Sequence, residues 1–548
     1  MPTTVLILVF LSKINNSVTK VSTIPFQQTG YFSKTIGDYL EQKESIAPFI
    51  GKFPSIENFK IQIEEKQQSF SQETRTILVA SLKKQYTEVK ASKKTSDNIE
   101  LLALKNSFTV TTGHQLNLFT GPLYFLYKIV SAINLAEELK ATYPKNNFVP
   151  VYWMASEDHD FEEIHYFNFK GKKIAWPREA NGGVGRLDNK NMEFVFEEFS
   201  KLLGNSTNAK KLKQLFKDAY LEHSNLTAAT RYLANELFAE YGLVIVDGDD
   251  IDLKRQFLPF VKKDIYDNVA FKEVTKCCSK LGKHYKIQVN PREINLFYLV
   301  DGLRERILFD GKEYRVNNSD IAFNLDELEY ELKLHPERFS PNVIMRPLYQ
   351  EVILPNLCYI GGGGELAYWF ELKSFFEKME VPFPILLLRN SAVLIAEKQS
   401  EKMEKLKITK EELFLKQQAL VNKKITEHSD VIIDFSVQRQ QIDGHFEVLE
   451  GIAEKTDKSF IGAVKAQKQK QLNGLDNLEK RLLKAERRKY KDLTLRMKQL
   501  QDEIFPKQSL QERNTNFSEH YLEYGEDLIP AIKHALKPLD LEFTIIEL

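Results

Sequence analysis

The chain has 548 residues, too many for one simple core, so two or three domains are expected. Hydrophobic residues make up 43% and charged residues 28%, as in an ordinary folded protein, and 76 basic side chains balance 76 acidic ones. That balance removes any overall electrostatic case for nucleic acid or an anionic membrane as partner. Of three cysteines, Cys277 and Cys278 are adjacent and Cys358 is distant. They form neither a disulfide framework nor zinc-ligand spacing, which fits a reducing cytoplasm.

Residues 1–20 contain a short apolar run, Val5–Leu11. It is far below the length of a membrane span and lacks the flanks of a signal peptide. These residues read as a non-native extension ahead of a start at Val21. Residues 21–165 read as the first part of a parallel-sheet core. Up to about residue 105 they are helical in pattern, over Tyr31–Ile46 and Glu57–Lys90, with breaks at Pro48 and Pro54. Phe108–Thr112 then reads as a buried strand. Gly113 and the polar loop His114-Gln115-Leu116-Asn117 follow it, and Thr120-Gly121-Pro122 marks a helix start. Leu126, Ile129, Val130, Ile133 and Ala136 give that helix one apolar face. A second strand, Val149–Ala155, ends in Ser156-Glu157-Asp158-His159-Asp160. Parallel strands joined by a right-handed crossover place both polar loops on one sheet edge, where open α/β sheets bind ligands.

Residues 166–240 read as a first connecting module. It opens with hairpin-like aromatic sequence and contains Gly182-Gly183-Val184-Gly185, read as a flexible turn because Asn181 and Asp188 flank it. Residues 241–255 supply a third core strand, Leu243–Asp247, with Asp247, Asp249 and Asp250 at its end. Residues 256–340 read as a second module, with strand candidates Ile287–Asn290, Phe297–Asp301, Arg306–Phe309 and Tyr314–Val316. Residues 341–391 return to the core: strand Cys358–Ile360, four glycines at 361–364, a helix from Glu365 to about Met379, strand Pro384–Leu388, then Arg389-Asn390-Ser391. Residues 392–505 are rich in Lys, Glu, Gln and Leu. Leu475, Leu478, Leu482, Leu493, Met497, Leu500 and Ile504 step by coiled-coil spacing, so an arm for dimerisation or domain contact is expected. Residues 506–548 end in the strand-like Phe543–Ile546 and read as a return to the main body.

Glu157-Asp158-His159-Asp160 is the densest polar cluster. On an extended chain only alternate members share a face, either Glu157 with His159 or Asp158 with Asp160. General acid/base work, ammonium binding or a metal suits such a loop; the bland alternative is a capping box from Asp160 to Glu163. No second ligand set supports a metal. His114, Gln115 and Asn117 suit a carbonyl or a phosphate. The loop from Gly361 to Gly364, with Thr120, Gly121, Glu365, Arg389, Asn390 and Ser391, suits a nucleotide or other anion. Arg346 suits a carboxylate through its planar fork. Gln350, Tyr368 and Trp369 flank the glycines. Cys358 reads as core, and neither a Walker loop nor a nucleophile elbow is present in the sequence.

Several of these stretches, taken in order, resemble one family. They are Thr112-Gly113-His114-Gln115, Leu118 to Tyr124 (LFTGPLY), Pro150 to Glu163 (PVYWMASEDHDFEE), and Phe339 to Val343 with Arg346-Pro347. Gly361 to Glu365 with Ala367-Tyr368-Trp369, and Gln511-Glu512-Arg513, complete the set. From about Pro25 onward the chain resembles the cysteine-adding enzymes, or cysteine ligases, of bacillithiol biosynthesis. The resemblance implies a Rossmann-like core similar to class I aminoacyl-tRNA synthetases, two connecting modules and a coiled coil that forms a homodimer. It also implies amide formation between the cysteine carboxyl group and the amine of glucosaminyl-malate. Gly363 stands where the family commonly has proline, and His114 where many members have glutamine; no H-x-G-H signature is intact. An ATP-derived leaving group would activate the acid, making ATP or ADP the expected cofactor. Asp158, His159 or Asp160 would hold the ammonium and take its proton. Glu157, His114, Gln115, Asn117, Arg346, Gln350, Tyr368 and Trp369 would contact substrate. The competing readings are a metal-dependent hydrolase or transferase using the Glu157–Asp160 loop, and a non-catalytic coiled-coil scaffold.

Overall fold

A computed structural model describes residues 19–456 and 458–548. The expectation for the first 18 residues lies outside them. The centre is a five-stranded parallel sheet. Its spatial order is Ile385–Leu388, Asn356–Gly361, Ser107–His114, Asn147–Met154 and Val244–Asp247. The chain starts in the middle, moves to one side and later returns to the other. Strands Ser107–His114 and Asn356–Gly361 therefore flank the switch point, whose carboxyl-end crevice is where such sheets take ligands.

Every residue of Ser107–His114 is buried. Its threonines are accommodated there by partners on the next strand. Thr109 and Thr111 donate to Asn356 Oδ1 at 3.1 and 2.8 Å, and Thr112 donates to the Ile360 carbonyl at 2.8 Å. The crossover helix, Tyr124–Thr142, begins two residues after Pro122 and is buried on nearly all sides rather than on one face. The reason is the C-terminal segment, which covers its outer side: Leu123 N–H donates to the Thr515 carbonyl, and Asn134 caps the carbonyls of Lys533 and Leu536. Helix Ile56–Ser69 packs beside the crossover helix through Phe59 and Ile63, in a layer that also holds Ala132, Leu135 and Cys358.

Lys20–Ile24 is a strand, not part of a helical layer. It pairs antiparallel with Phe543–Glu547, which also runs parallel to Ala392–Ile395. Tyr166–Phe169 and Lys172–Ala175 form a hairpin. The second module carries an antiparallel sheet in the order Ala322–Phe323, Tyr314–Val316, Leu303–Phe309, Leu296–Val300, Phe339–Pro341. Ile287–Asn290 is not a strand there. The N–H groups of Gln288 and Val289 are held by the Glu371 carboxylate, at 2.7 and 3.3 Å. Glu371 turns inward at a break that divides the expected long helix into Gly363–Trp369 and Lys373–Met379.

The arm is a hairpin of Ser436–Ala453 and Lys458–Lys489, closed by ion pairs of Arg439 with Asp476 and Lys468 with Asp443. The leucine spacing divides in two. Met497, Leu500 and Ile504, on helix Lys491–Ile504, are buried against the body, whereas Leu478 is exposed on the arm. No helix among the described residues is long and apolar enough to cross a membrane.

Candidate functional site

The switch-point crevice encloses about 700 Å³, a size suited to small molecules. The acidic loop and the glycine loop form two of its walls, and the antiparallel sheet of the second module forms a third. Its cations are Lys128, Arg292, Arg304, Arg306, Arg346, Arg389 and Arg513; its carboxylates are Glu157, Asp158 and Glu365. That surplus of positive charge favours anionic ligands.

The acidic loop turns rather than continuing extended, because Asp158 N–H bonds back to the Ala155 carbonyl at 3.2 Å. The alternation expected of a strand therefore does not apply. Glu157 goes inward and pairs with buried Lys254. Burial pushes its carboxyl above the usual range, partly offset by Lys254. Asp249, held low by Lys254 and Arg186 against the effect of burial, and Asp247, which accepts from Ser156, complete this ionic floor. Asp158 and His159 both face the crevice. Asp158 accepts from Gln115 Nε2 at 3.0 Å and from His159 N–H at 2.8 Å. Burial raises its carboxyl, but contacts from His159 and Gln115 with the charge of Arg304 hold it well below the ordinary range. Asp160 lies outside the wall and accepts the Glu163 N–H, so the capping role describes it.

The loop is held from beneath by the 182–186 turn. Val184 N–H donates to the Asp158 carbonyl at 2.7 Å and Gly185 N–H to the Ser156 carbonyl at 2.8 Å. A Cβ on Gly185 would lie 2.3 Å from Thr227 Oγ1 and 2.6 Å from Ser156 Cβ, so only glycine fits.

On the opposite wall, Lys128 reaches out of the crossover helix to the Gly113 carbonyl and the Glu365 carboxylate, both at 2.7 Å. Glu365 also accepts the Gly362 N–H at 2.6 Å. The Gly362 amide, second of the four, is thus already occupied by a carboxylate, which corrects the reading of all four glycines as free anion donors. Gly361 is outside the wall, packed against Leu366 and Tyr359, while Gly362, Gly363 and Gly364 line it. Arg346 lies beside Tyr359 and donates to the Tyr368 hydroxyl at 3.1 Å. Gln350 does not touch the crevice. It accepts from Arg346 at 3.2 Å and donates to Glu351, which pairs with buried Lys66. Arg389 pairs with Glu512 at 2.7 Å, the ion-pair alternative to a free anchor, yet its buried Nε–H has no partner and sits beside Gly362.

His114 lines the crevice between Tyr124 and Phe125, its ring driven well below its ordinary range by burial and by Lys128. Gln115 joins the two loops. Asn117, Thr120 and Gly121 do not line the crevice: Asn117 donates to the Glu163 carbonyl, and Thr120 and Gly121 are buried in the tight turn before the helix. Trp369 is fully buried and stacked on Tyr359; Asn390 and Ser391 are spent on Ser131, Lys537, Arg389 and Glu512. Among the described residues, no three His, Cys, Asp or Glu side chains converge as a metal-ligand set.

Sequence reasoning overlooked Lys128, Tyr124, Arg304, Arg292, Arg306 and Phe297 as wall residues. Lys128 carried a signal, a lone cation inside an apolar helical run. Tyr124 opens that same helix. Phe297, Arg304 and Arg306 come from strands of the second module and Arg292 from the loop before them, and nothing local to these four points to the crevice.

The family model described as bacillithiol biosynthesis BshC, N-terminal Rossmann-like domain, matches residues 19–390. The model for the C-terminal coiled-coil domain of the same family matches residues 392–548. Three similar relatives each carry the name "Putative cysteine ligase BshC". That of Flavobacterium johnsoniae is 56% identical over 95% of this chain and 99% of its own. That of Flavobacterium psychrophilum is 57% identical over 96% and 99%, and that of Cytophaga hutchinsonii 39% over 95% and 98%.

Proposed function

The chain belongs to the bacillithiol biosynthesis BshC family, and from that premise we propose that it joins the carboxyl group of cysteine to the amine of glucosaminyl-malate. One observation supports this reading most: a carboxylate with spare acceptor positions that is paired to no buried lysine, Asp158, lies among guanidinium groups in one crevice. The amine arrives as an ammonium and meets Asp158, whose two oxygens still have lone pairs free. The malate carboxylates suit the planar forks of Arg346 and its neighbours. Asp158 draws one proton from the ammonium and frees its lone pair; as the amine nitrogen then bonds to the cysteine carbonyl carbon, the bond to the leaving group breaks and the nitrogen's second surplus proton passes to water.

An adenine nucleotide, ATP or ADP, fits the glycine-loop end, because the unpartnered Arg389 Nε–H there awaits an acceptor beside Lys128 and Arg346. When bound, ATP supplies the leaving group that activates the cysteine carboxyl. The chain's own residues do the rest: Arg346 and Arg389 orient anions, and Asp158 holds and then receives a proton. The arm brings two copies together as a homodimer.

The test is thiol formation by the purified protein from cysteine and glucosaminyl-malate, with and without ATP, followed by mass spectrometry. Asp158→Asn is expected to lower kcat by about 10²–10⁴. Turnover at the wild-type rate would remove Asp158 from the reaction.

A further inference from the structure

Arg304 comes from the second module, 145 residues from the acidic loop, and its guanidinium is fixed on every side. Nε donates to Ser340 Oγ at 3.1 Å and Nη2 to the Pro341 carbonyl at 3.3 Å. The plane rests 4.0 Å above the centre of the Phe297 ring. Strand register explains the arrangement. Ser340 faces Phe297 and Phe297 faces Arg306, so Arg304, two residues earlier, shares their face and reaches across diagonally. The remaining nitrogen, Nη1, lies 2.8 Å from His159 Nδ1.

An arginine offers only N–H donors and keeps its charge, so at this contact the imidazole has to accept. Nδ1 therefore carries a lone pair and the ring proton is on Nε2. The competing arrangement has Nδ1–H donating to Asp158. It fails on distance, since Asp158 Oδ1 is 3.6 Å away, and it would aim two N–H groups at each other. The charged groups around the ring are Arg304 and Asp158, with Glu157 acting on Arg304 from beneath. Phe297 covers one side of the imidazole. Half of the His159 side chain is exposed, and Nε2, on the far edge of the ring, is the atom left for the contents of the crevice.

We propose that Arg304 is a positioning residue that locks His159 in the Nε2–H tautomer, so that the crevice meets an imidazole N–H donor and not a base. On the ligase reading, on which this role rests, that donor serves the cysteine carbonyl oxygen, where negative charge develops as the amine adds. Proton removal is left to Asp158.

The tautomer is read directly, without turnover, in full-length protein labelled with ¹⁵N-histidine. His159 resonances are identified by difference against His159→Gln. The expected wild-type pattern is a pyridine-type Nδ1 and a pyrrole-type Nε2. Arg304→Met is expected to move the proton to Nδ1, towards Asp158, and Arg304→Lys to restore the wild-type pattern. A protonated Nδ1 in the wild type, or an unchanged ring in Arg304→Met, overturns the lock. Kinetics test the donor role separately. His159→Gln keeps an N–H near the Nε2 position and is expected to retain kcat within about tenfold, whereas His159→Leu loses about 10²–10³. Equal losses in the two variants overturn the donor role. A wild-type protein that forms no amide overturns the ligase reading alone, because the spectrum does not depend on it.

Discussion

Asp264 has no exposed surface, and its carboxylate accepts the Asn295 backbone N–H at 2.6 Å and the Asn295 side-chain amide at 3.2 Å. Asn295 in turn accepts from Asn342, which stands in the crevice wall. A buried acid thus supports a ligand-facing amide without approaching the ligand. Burial pushes the Asp264 carboxyl up to about 6, although Asn295 opposes it. In the unfolded chain it ionises near the ordinary value of about 4. Between roughly pH 4 and pH 6 the folded chain therefore holds a proton that the unfolded chain has released. Its stability falls as pH rises through that window and levels off above it, by about 3 kcal/mol in total. Asp264→Asn cannot show this. Its unfolding free energy, relative to wild type, is expected to rise by about 2–3 kcal/mol from pH 4 to pH 7 in denaturant titrations. Parallel pH profiles for the two proteins would refute the buried-acid account. The same layering separates Arg346 from Gln350. Both were read from the sequence as substrate groups, but one faces the crevice and the other orients it from behind. Residue type and spacing do not distinguish these roles, since both need a polar group at that end of one helix.

Elements decide the site through close approach as much as through polar groups. The 182–186 turn holds the acidic loop by two backbone hydrogen bonds, and Gly185 permits that contact only because it lacks a Cβ. Gly185→Ala has to move Thr227, Ser156 or the turn itself. The expected cost is about 1–3 kcal/mol of stability, with a fall in kcat of about 10² as Asp158 and His159 shift. Melting temperature and kcat measured together check this; a variant with wild-type kcat would mean the turn does not set the loop. In the sequence the same glycines looked like a flexible turn, because composition cannot tell freedom of φ from the need for a missing side chain. The parallel strands were legible for the opposite reason. Ser107–His114, Asn147–Met154, Val244–Asp247 and Asn356–Gly361 are continuous apolar or β-branched runs, each stopped by a glycine, an acid or a polar loop. Chain order and handedness then bring the two loops to one edge without any knowledge of side-chain contacts. Ile287–Asn290 was misread because its alternation resembles a strand, while its backbone partner is a side chain, Glu371, some eighty residues on.

For the whole molecule, the division of labour follows from where apolar surface is spent. The parallel sheet and its covering helices bury theirs in two core clusters, and the C-terminal segment closes the larger by returning as the strand Phe543–Glu547. The arm does not. Its two helices satisfy each other with ion pairs, yet Val437, Val448, Ile452 and Leu478 remain exposed, Val448 at 66%. Val448 and Ile452 are four residues apart on one helix, so they fall on a common stripe. Apolar stripes of this kind on a charged hairpin are what a second helix pair would cover. The sequence showed the heptad-like spacing but not its split, because Met497, Leu500 and Ile504 obey the same spacing while packing on the body. The split predicts which positions govern assembly. Replacing both Val448 and Ile452 with Asp is expected to convert a dimer into a monomer in analytical ultracentrifugation at micromolar concentration. Replacing Leu500 with Asp is expected instead to lower the melting temperature, since that residue is 1% exposed in the core. None of these residues lines the crevice, so the Val448/Ile452 variant also asks whether each copy works alone. Every crevice wall described here comes from one chain, and the monomeric variant is therefore expected to keep its turnover per chain. A wild type that sediments as a monomer would dispose of the arm's proposed role, and a dissociated variant that lost turnover would mean that pairing supports the crevice from a distance.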